Sequence, residues 1–194
     1  MRTKRKSTVL IFTFAVAFCL AGLSATAHAQ DVIVKWEQIN GLTYPGSANT
    51  VAGYSTYTYP WSVNWGPYSW GMGGGAKVDL TTGEVEFFVH GLALAGGPYI
   101  GTTIPVTEVY GVLVCNDWAN YPPTPGASFP YPTTAVTLSA EGNAYFSGTL
   151  GSSYVSGNCT ANPTNVAFLI VDNLTGTWIA YGAVPVSQGF HHHH

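Results

Sequence analysis

The sequence predicts an all-β protein, an antiparallel β-sandwich of Greek-key or jelly-roll type with about seven or eight strands and one disulfide. Two observations carry this. Apolar and polar residues alternate with period two in short runs, and Gly, Pro and Asn interrupt those runs every ten residues or so. No stretch of ten or more residues outside the first segment has the 3.6-residue apolar spacing of a helix.

That first segment, residues 1–29, is basic (Arg2, Lys4, Arg5, Lys6), then apolar, then small, ending Ala27-His28-Ala29. The layout is that of a secretory signal peptide cleaved before Gln30. The apolar run is short for a membrane anchor, and Phe18 before Cys19 is too bulky for a lipoprotein cleavage motif. A single domain is expected over residues 30–190, and residues 191–194 are four histidines of tag type. The protein is therefore expected to be secreted or periplasmic.

Removing both ends changes the charge. Residues 30–190 keep two lysines, Lys35 and Lys77, and no arginine against nine carboxylates, a formal charge of −7. Such a surface cannot neutralise a row of phosphates, which excludes nucleic acid and, after leader cleavage, anionic membrane as partners. Two cysteines remain in this span, Cys115 and Cys159. In an exported chain a disulfide is the default, closing a loop of about 44 residues worth ~4 kcal/mol in the chain-entropy model. A shared metal would need more ligands than His90, the one histidine of residues 30–190, can add. No metal or cofactor is expected.

Taken in order, residues 32–37 (VIVKWE) read as a strand with Val32, Val34 and Trp36 on one face. Such a terminal strand either pairs within its own chain or adds to a neighbour's sheet edge. Residues 40–75 are rich in Gly, Ser, Thr and Asn interleaved with Tyr54, Tyr57, Tyr59, Trp61, Trp65, Tyr68 and Trp70. Alternation there permits a strand, with Pro60 placing it at an edge or bulge. Residues 76–92 read as a hairpin about Thr82-Gly83. A two-residue loop sets Leu80 opposite Val85, Val78 opposite Phe87 and Ala76 opposite Val89. A turn-rich GGPYIGTT stretch precedes a strand over 107–115. Five prolines make 116–134 an extended loop, after which strands are expected at 135–140, 143–150, 166–171 and 177–184. The unbroken VAFLIV at 166–171 predicts burial on both faces.

Catalytic chemistry finds little support. His90 falls on the outward side of the hairpin with no G-x-S-x-G elbow nearby, and Ser152-Ser153 sits in a turn without recognisable context. The two-residue loop would place Asp79 against Glu86 on the outward face, a pairing that a carboxylate-dependent glycosidase or lyase would need beside a sugar site. A solvated charged face softened by Lys77 explains the same pattern. No calcium loop of D-x-D-x-D-G type is present. Two sequons, at Asn158 and Asn173, matter only in a glycosylating host.

The functional content lies in the aromatic stretch. Tyr57, Tyr59, Trp61, Trp65, Tyr68 and Trp70 on a polar background can stack on sugar rings, bury in a partner, or cover their own sandwich. The leading expectation is a secreted non-catalytic β-sandwich with a structural or interaction role, self-assembling through strand edges. The alternative is a carbohydrate-binding module using these rings, and the third a small glycosidase or lyase. Expected partners are a polysaccharide, a protein or a second copy of the chain.

Overall fold

The computed structural model describes residues 31–42, 50–51, 54–55, 57–63, 73–116, 129–182 and 185–187. Its strands are β1 (Ile33–Trp36), β2 (Ile39–Gly41), β3 (Thr50–Val51), β4 (Tyr54–Ser55), β5 (Trp61–Val63), β6 (Gly74–Asp79), β7 (Glu84–Val89), β8 (Leu92–Leu94), β9 (Glu108–Cys115), β10 (Phe129–Pro132), β11 (Val136–Thr137), β12 (Ala144–Thr149), β13 (Val166–Asp172), β14 (Trp178–Gly182) and β15 (Pro185–Ser187), with one helical turn, α1 (Gly157–Thr160). All pairings are antiparallel. The first main sheet runs β12-β7-β6-β1-β15 and the second β10-β9-β13-β14-β2, with β11 on the start of β9. Two small ribbons, β3-β4 and β5-β8, complete the described strands. The all-β class and the disulfide are as the sequence predicts.

The two sheets are joined by rings that cross between them. Trp36 of β1 lies 5.5 Å from Phe168 of β13, and Phe87 of β7 lies 5.6 Å from the same ring. Phe146 of β12 stacks on Phe87 at 5.5 Å. These four rings pack in series between the sheets, and glycines on the second sheet make room for them. A Cβ on Gly111 would fall 2.5 Å from Phe168 and 3.0 Å from Phe87. Every residue of β13 is buried, in keeping with its unbroken apolar run.

Several details depart from the sequence expectation. The hairpin pairs Val78 with Val85 and Ala76 with Phe87, a register two residues away from that of a two-residue loop, and residues 80–83 form the turn. The reason is side-chain chemistry at Asp79, whose Oδ1 accepts hydrogen bonds from the Thr81 and Thr82 amides at 2.7 and 3.3 Å. Gly83 then turns left-handed at φ +79° and donates to the Asp79 carbonyl at 2.8 Å. Leu80 is buried inside the turn rather than in the strand, covered by Tyr154, whose hydroxyl donates to the Leu80 carbonyl. A shift of two preserves the inward face, so Val78, Val85, Phe87 and Val89 are buried as expected.

The VIVKWE segment does not lie at an edge. β1 sits between β6 and β15, so its main chain is paired on both sides. The proline-rich 116–134 region contains β10, whose Tyr131 lies opposite Leu113. It is compatible with strand pairing because Pro130 and Pro132 occupy the positions that point away from β9. The phase is set by the Thr133 amide, which donates to Gly111, placing 131 and 129 in the hydrogen-bonded pairs. β2, β8 and β15 were not separable from neighbouring turns in the sequence, each being three residues long.

Candidate functional site: an uncharged apolar rim

Residues 91–107 contain no charged side chain, and neither do the longer stretches 38–76, 118–140 and 142–171. The loop from β8 to β9 occupies most of this stretch. Leu94 donates to the Thr102 carbonyl at 2.9 Å and the Gly101 amide returns to Leu94 at 2.8 Å, which closes its base. The Thr102 amide and hydroxyl both bond the Tyr99 carbonyl, at 3.1 and 2.8 Å, and the Ile104 amide donates to the Thr102 hydroxyl at 3.3 Å. Gly101 takes φ +82° at the tip. The loop's main chain is thus held by its own bonds, and its large side chains point outward. Tyr99 is 52 % exposed, Ile100 64 % and Ile104 55 %.

A second segment supports this loop. The Ala95 amide donates to the Pro60 carbonyl at 2.8 Å. A Cβ on Gly96 would fall 2.9 Å from Pro60, and one on Gly97 2.7 Å from the Tyr59 ring. Tyr59 therefore lies flat across bare backbone and is itself 39 % exposed. We group Tyr59, packed on Gly97, with Tyr99, Ile100 and Ile104 of the same hydrogen-bonded loop as an exposed apolar rim.

The aromatic residues singled out in the sequence divide. Trp61 is fully buried in β5, edge-on to the buried Tyr57 at 5.6 Å, so both belong to the core and neither ring can stack on a ligand. Pro60 breaks the alternation that would have aligned Tyr57, Tyr59 and Trp61, and Tyr59 alone turns out to solvent. Burial raises the Tyr57 hydroxyl above its ordinary value, with Asp172 and Tyr59 adding to the effect. Trp65, Tyr68 and Trp70 lie outside the described residues. The Nε1 atoms of Trp36, Trp61 and Trp178 have no hydrogen-bond partner among the described residues. Tyr99, Ile100 and Ile104 were passed over in the sequence as part of a turn. The signal in the sequence is their place in, and for Ile104 directly after, a Gly- and Thr-rich stretch without strand alternation over residues 96–103.

The acidic outer face of the first sheet is also concave. A shallow groove of about 520 Å³ there is lined by Asp31, Lys77, Asp79, Glu84, Glu86 and Thr149 among others. Asp79 does not oppose Glu86. The register places Lys77 opposite Glu86, and the Asp79 carboxylate is engaged by its own turn. Glu86 accepts the Tyr145 hydroxyl at 3.1 Å. His90 is exposed at the end of β7, its ring 5.4 Å from Phe88. Among the described residues no group of three or more His, Cys, Asp or Glu is placed to hold a metal ion.

At the end of β9 the Cys115–Cys159 disulfide ties that strand to α1, with 5.1 Å between the Cα atoms. Asn116 follows in the left-handed region at φ +66°, and its side-chain amide donates to the Asn158 carbonyl at 2.7 Å. Asn158 in turn donates to the Tyr131 hydroxyl at 2.7 Å. These contacts pin strand end, helical turn and β10 together, a structural use of residues that includes one sequon asparagine. Among the described residues no helix is long and apolar enough to cross a membrane. No family model, curated protein or solved structure matches this chain.

Proposed function

We propose that this chain is a non-catalytic binding protein of the extracellular space or periplasm, which meets its partner through the rim of Tyr59, Tyr99, Ile100 and Ile104. The observation that carries the proposal is the combination of apolar exposure with a main chain held by its own hydrogen bonds. Exposed apolar carbon on a rigid support loses little conformational freedom when it is covered, which is what a docking element requires. The leader-like first segment and the disulfide support a location outside the cytoplasm.

A carbohydrate-binding role is the alternative, favoured by the two exposed tyrosine rings on the rim. Replacing Tyr99, Ile100 and Ile104 together by serine tests both. All three side chains are exposed, so the fold is retained. The measurement is depletion of the protein from solution by insoluble polysaccharides and by isolated cell envelopes. Binding weakened about tenfold or more in the variant supports the rim. Loss on pure polysaccharide selects the carbohydrate alternative, and loss only on protease-sensitive envelopes selects a protein partner. Unchanged depletion, or turnover of a polysaccharide abolished by one carboxylate substitution, overturns the proposal.

A further inference from the structure

We infer that β12 is a pairing edge, and that a second copy of this chain adds to it antiparallel through β12, joining the two first sheets into one continuous sheet. This inference rests on the reading of the protein as one that works by contact, but it uses a different face from the rim.

The outer strands of the two main sheets are β12 and β15 on one, and β10, β2 and the two-residue β11 on the other, with β11 packed near β12. β10, β15 and β2 are blunted. β10 lacks the amide hydrogens that would point outward, because Pro130 and Pro132 stand at those positions. β15 is three residues long and opens with Pro185, which the pairing of β1 with β6 and β15 also turns outward. β2 is covered by β5: the Trp61 amide donates to Leu42 at 2.7 Å, and a Cβ on Gly41 would fall 2.3 Å from the Trp61 carbonyl oxygen.

β12 carries none of these devices. Its six residues, AYFSGT, include no proline and no charge. The Leu150 amide donates to the Gly83 carbonyl at 2.9 Å, which fixes the phase of the ladder. Ala144, Phe146 and Gly148 therefore exchange bonds with β7, while Tyr145, Ser147 and Thr149 direct both N–H and C=O away from it. Those three side chains are exposed, Tyr145 by 59 %. Among the described residues no hydrogen bond engages their main-chain groups from the open side.

The occupant follows from self-complementarity. With a twofold axis at Ser147, the outward-bonding positions of one copy face those of the other: Ser147 meets Ser147, and Tyr145 meets Thr149, of the second copy. The outer face then gains two aromatic-to-β-branched pairs, a favourable cross-strand combination. On the inner face Phe146 comes opposite the second copy's Gly148, over which that copy's own Phe146 ring already lies. A one-residue slip would instead match inward-bonding groups with outward-bonding ones and lose the ladder. β12 itself carries no charge, and the nearest acids, Glu86 and Glu84, stand one strand away opposite Ser147 and Thr149.

The test is sedimentation of the purified full chain over a range of concentrations, compared with Ser147→Pro and Ser147→Lys. Proline at 147 removes an amide hydrogen that makes no bond to β7, so the subunit keeps its fold, checked by circular dichroism. The expected result is a concentration-dependent dimer whose dissociation constant rises about tenfold or more in both variants. Ser147→Cys is expected to give a disulfide-linked dimer on oxidation, since the two positions face each other across the axis, whereas the serine-substituted rim variant dimerises normally. A monomer at all concentrations, or a dimer indifferent to both Ser147 changes, overturns the edge assignment and leaves the rim untouched. A dimer lost only in the rim variant assigns self-association to the rim instead.

Discussion

Gly182 of β14 lies directly against the indole of Trp36 on the facing sheet, so closely that a Cβ would fall 2.4 Å from Cδ1 and 2.5 Å from Cγ. The Trp36 ring is 1 % exposed and also packs on Phe168, so it has nowhere to retreat. Gly182→Ala is expected to destabilise the protein by about 1–3 kcal/mol through overpacking. Urea denaturation followed by tryptophan fluorescence measures this. A loss below about 0.5 kcal/mol would show that the sheets can separate locally at no cost.

The disulfide pole gives a second expectation. Replacing Cys115 and Cys159 together by alanine should cost about 2–5 kcal/mol, as removal of a native cross-link closing a loop of this length usually does. Asn116→Ala should cost about 1–2 kcal/mol, because alanine tolerates the left-handed backbone poorly and cannot bond the Asn158 carbonyl. Asn116→Gly should recover the backbone part of that loss only. Thermal melts of the three variants order them, and an Asn116→Ala melt equal to that of the parent would remove the asparagine from the clamp.

Tyr154 supplies a pH dependence. Burial, then the neighbouring Tyr131 and Asp79, push its hydroxyl up to about 12 from the ordinary tyrosine value near 10. The folded state thus holds a proton that the unfolded chain has released in this window. Stability from this group is complete below about pH 10 and is lost as pH rises toward 12. In a spectrophotometric titration at 295 nm the Tyr154→Phe variant should lack one late-ionising tyrosine, and its stability should fall less steeply over the same range. A difference confined to ionisation near pH 10 would place Tyr154 in ordinary solvent.

The all-β class, the paired cysteines and the inward residues of β7, β9 and β13 were legible because each rests on a local signal: period-two alternation, an even cysteine pair, an unbroken apolar run. What escaped depended on side chains acting on main chain or on distant strands. Asp79 moved the hairpin register by bonding two amides ahead of it, and no apolar pattern encodes that. Pro60 split three aromatics between core and surface. Pro130 and Pro132 looked like strand breakers, yet each sits where no amide hydrogen is needed. Of the ring residues proposed for ligand contact, Tyr57 and Trp61 are in the core and Tyr59 is on the rim. Tyr99, Ile100 and Ile104 were hidden because exposure of a loop is a tertiary property.

The pairing of β1 with β15 joins Val34 to Ser187, residues from opposite ends of the described chain. A polypeptide leaves the ribosome from its first residue, so β1 emerges early and must wait for almost everything after it. Until β15 is released, one side of β1 has no partner, and the first sheet is incomplete whatever the hairpin of β6 and β7 has achieved. Closure is therefore a late event governed by sequence distance, and truncation of even the last strand should leave a chain that is made but never finishes folding.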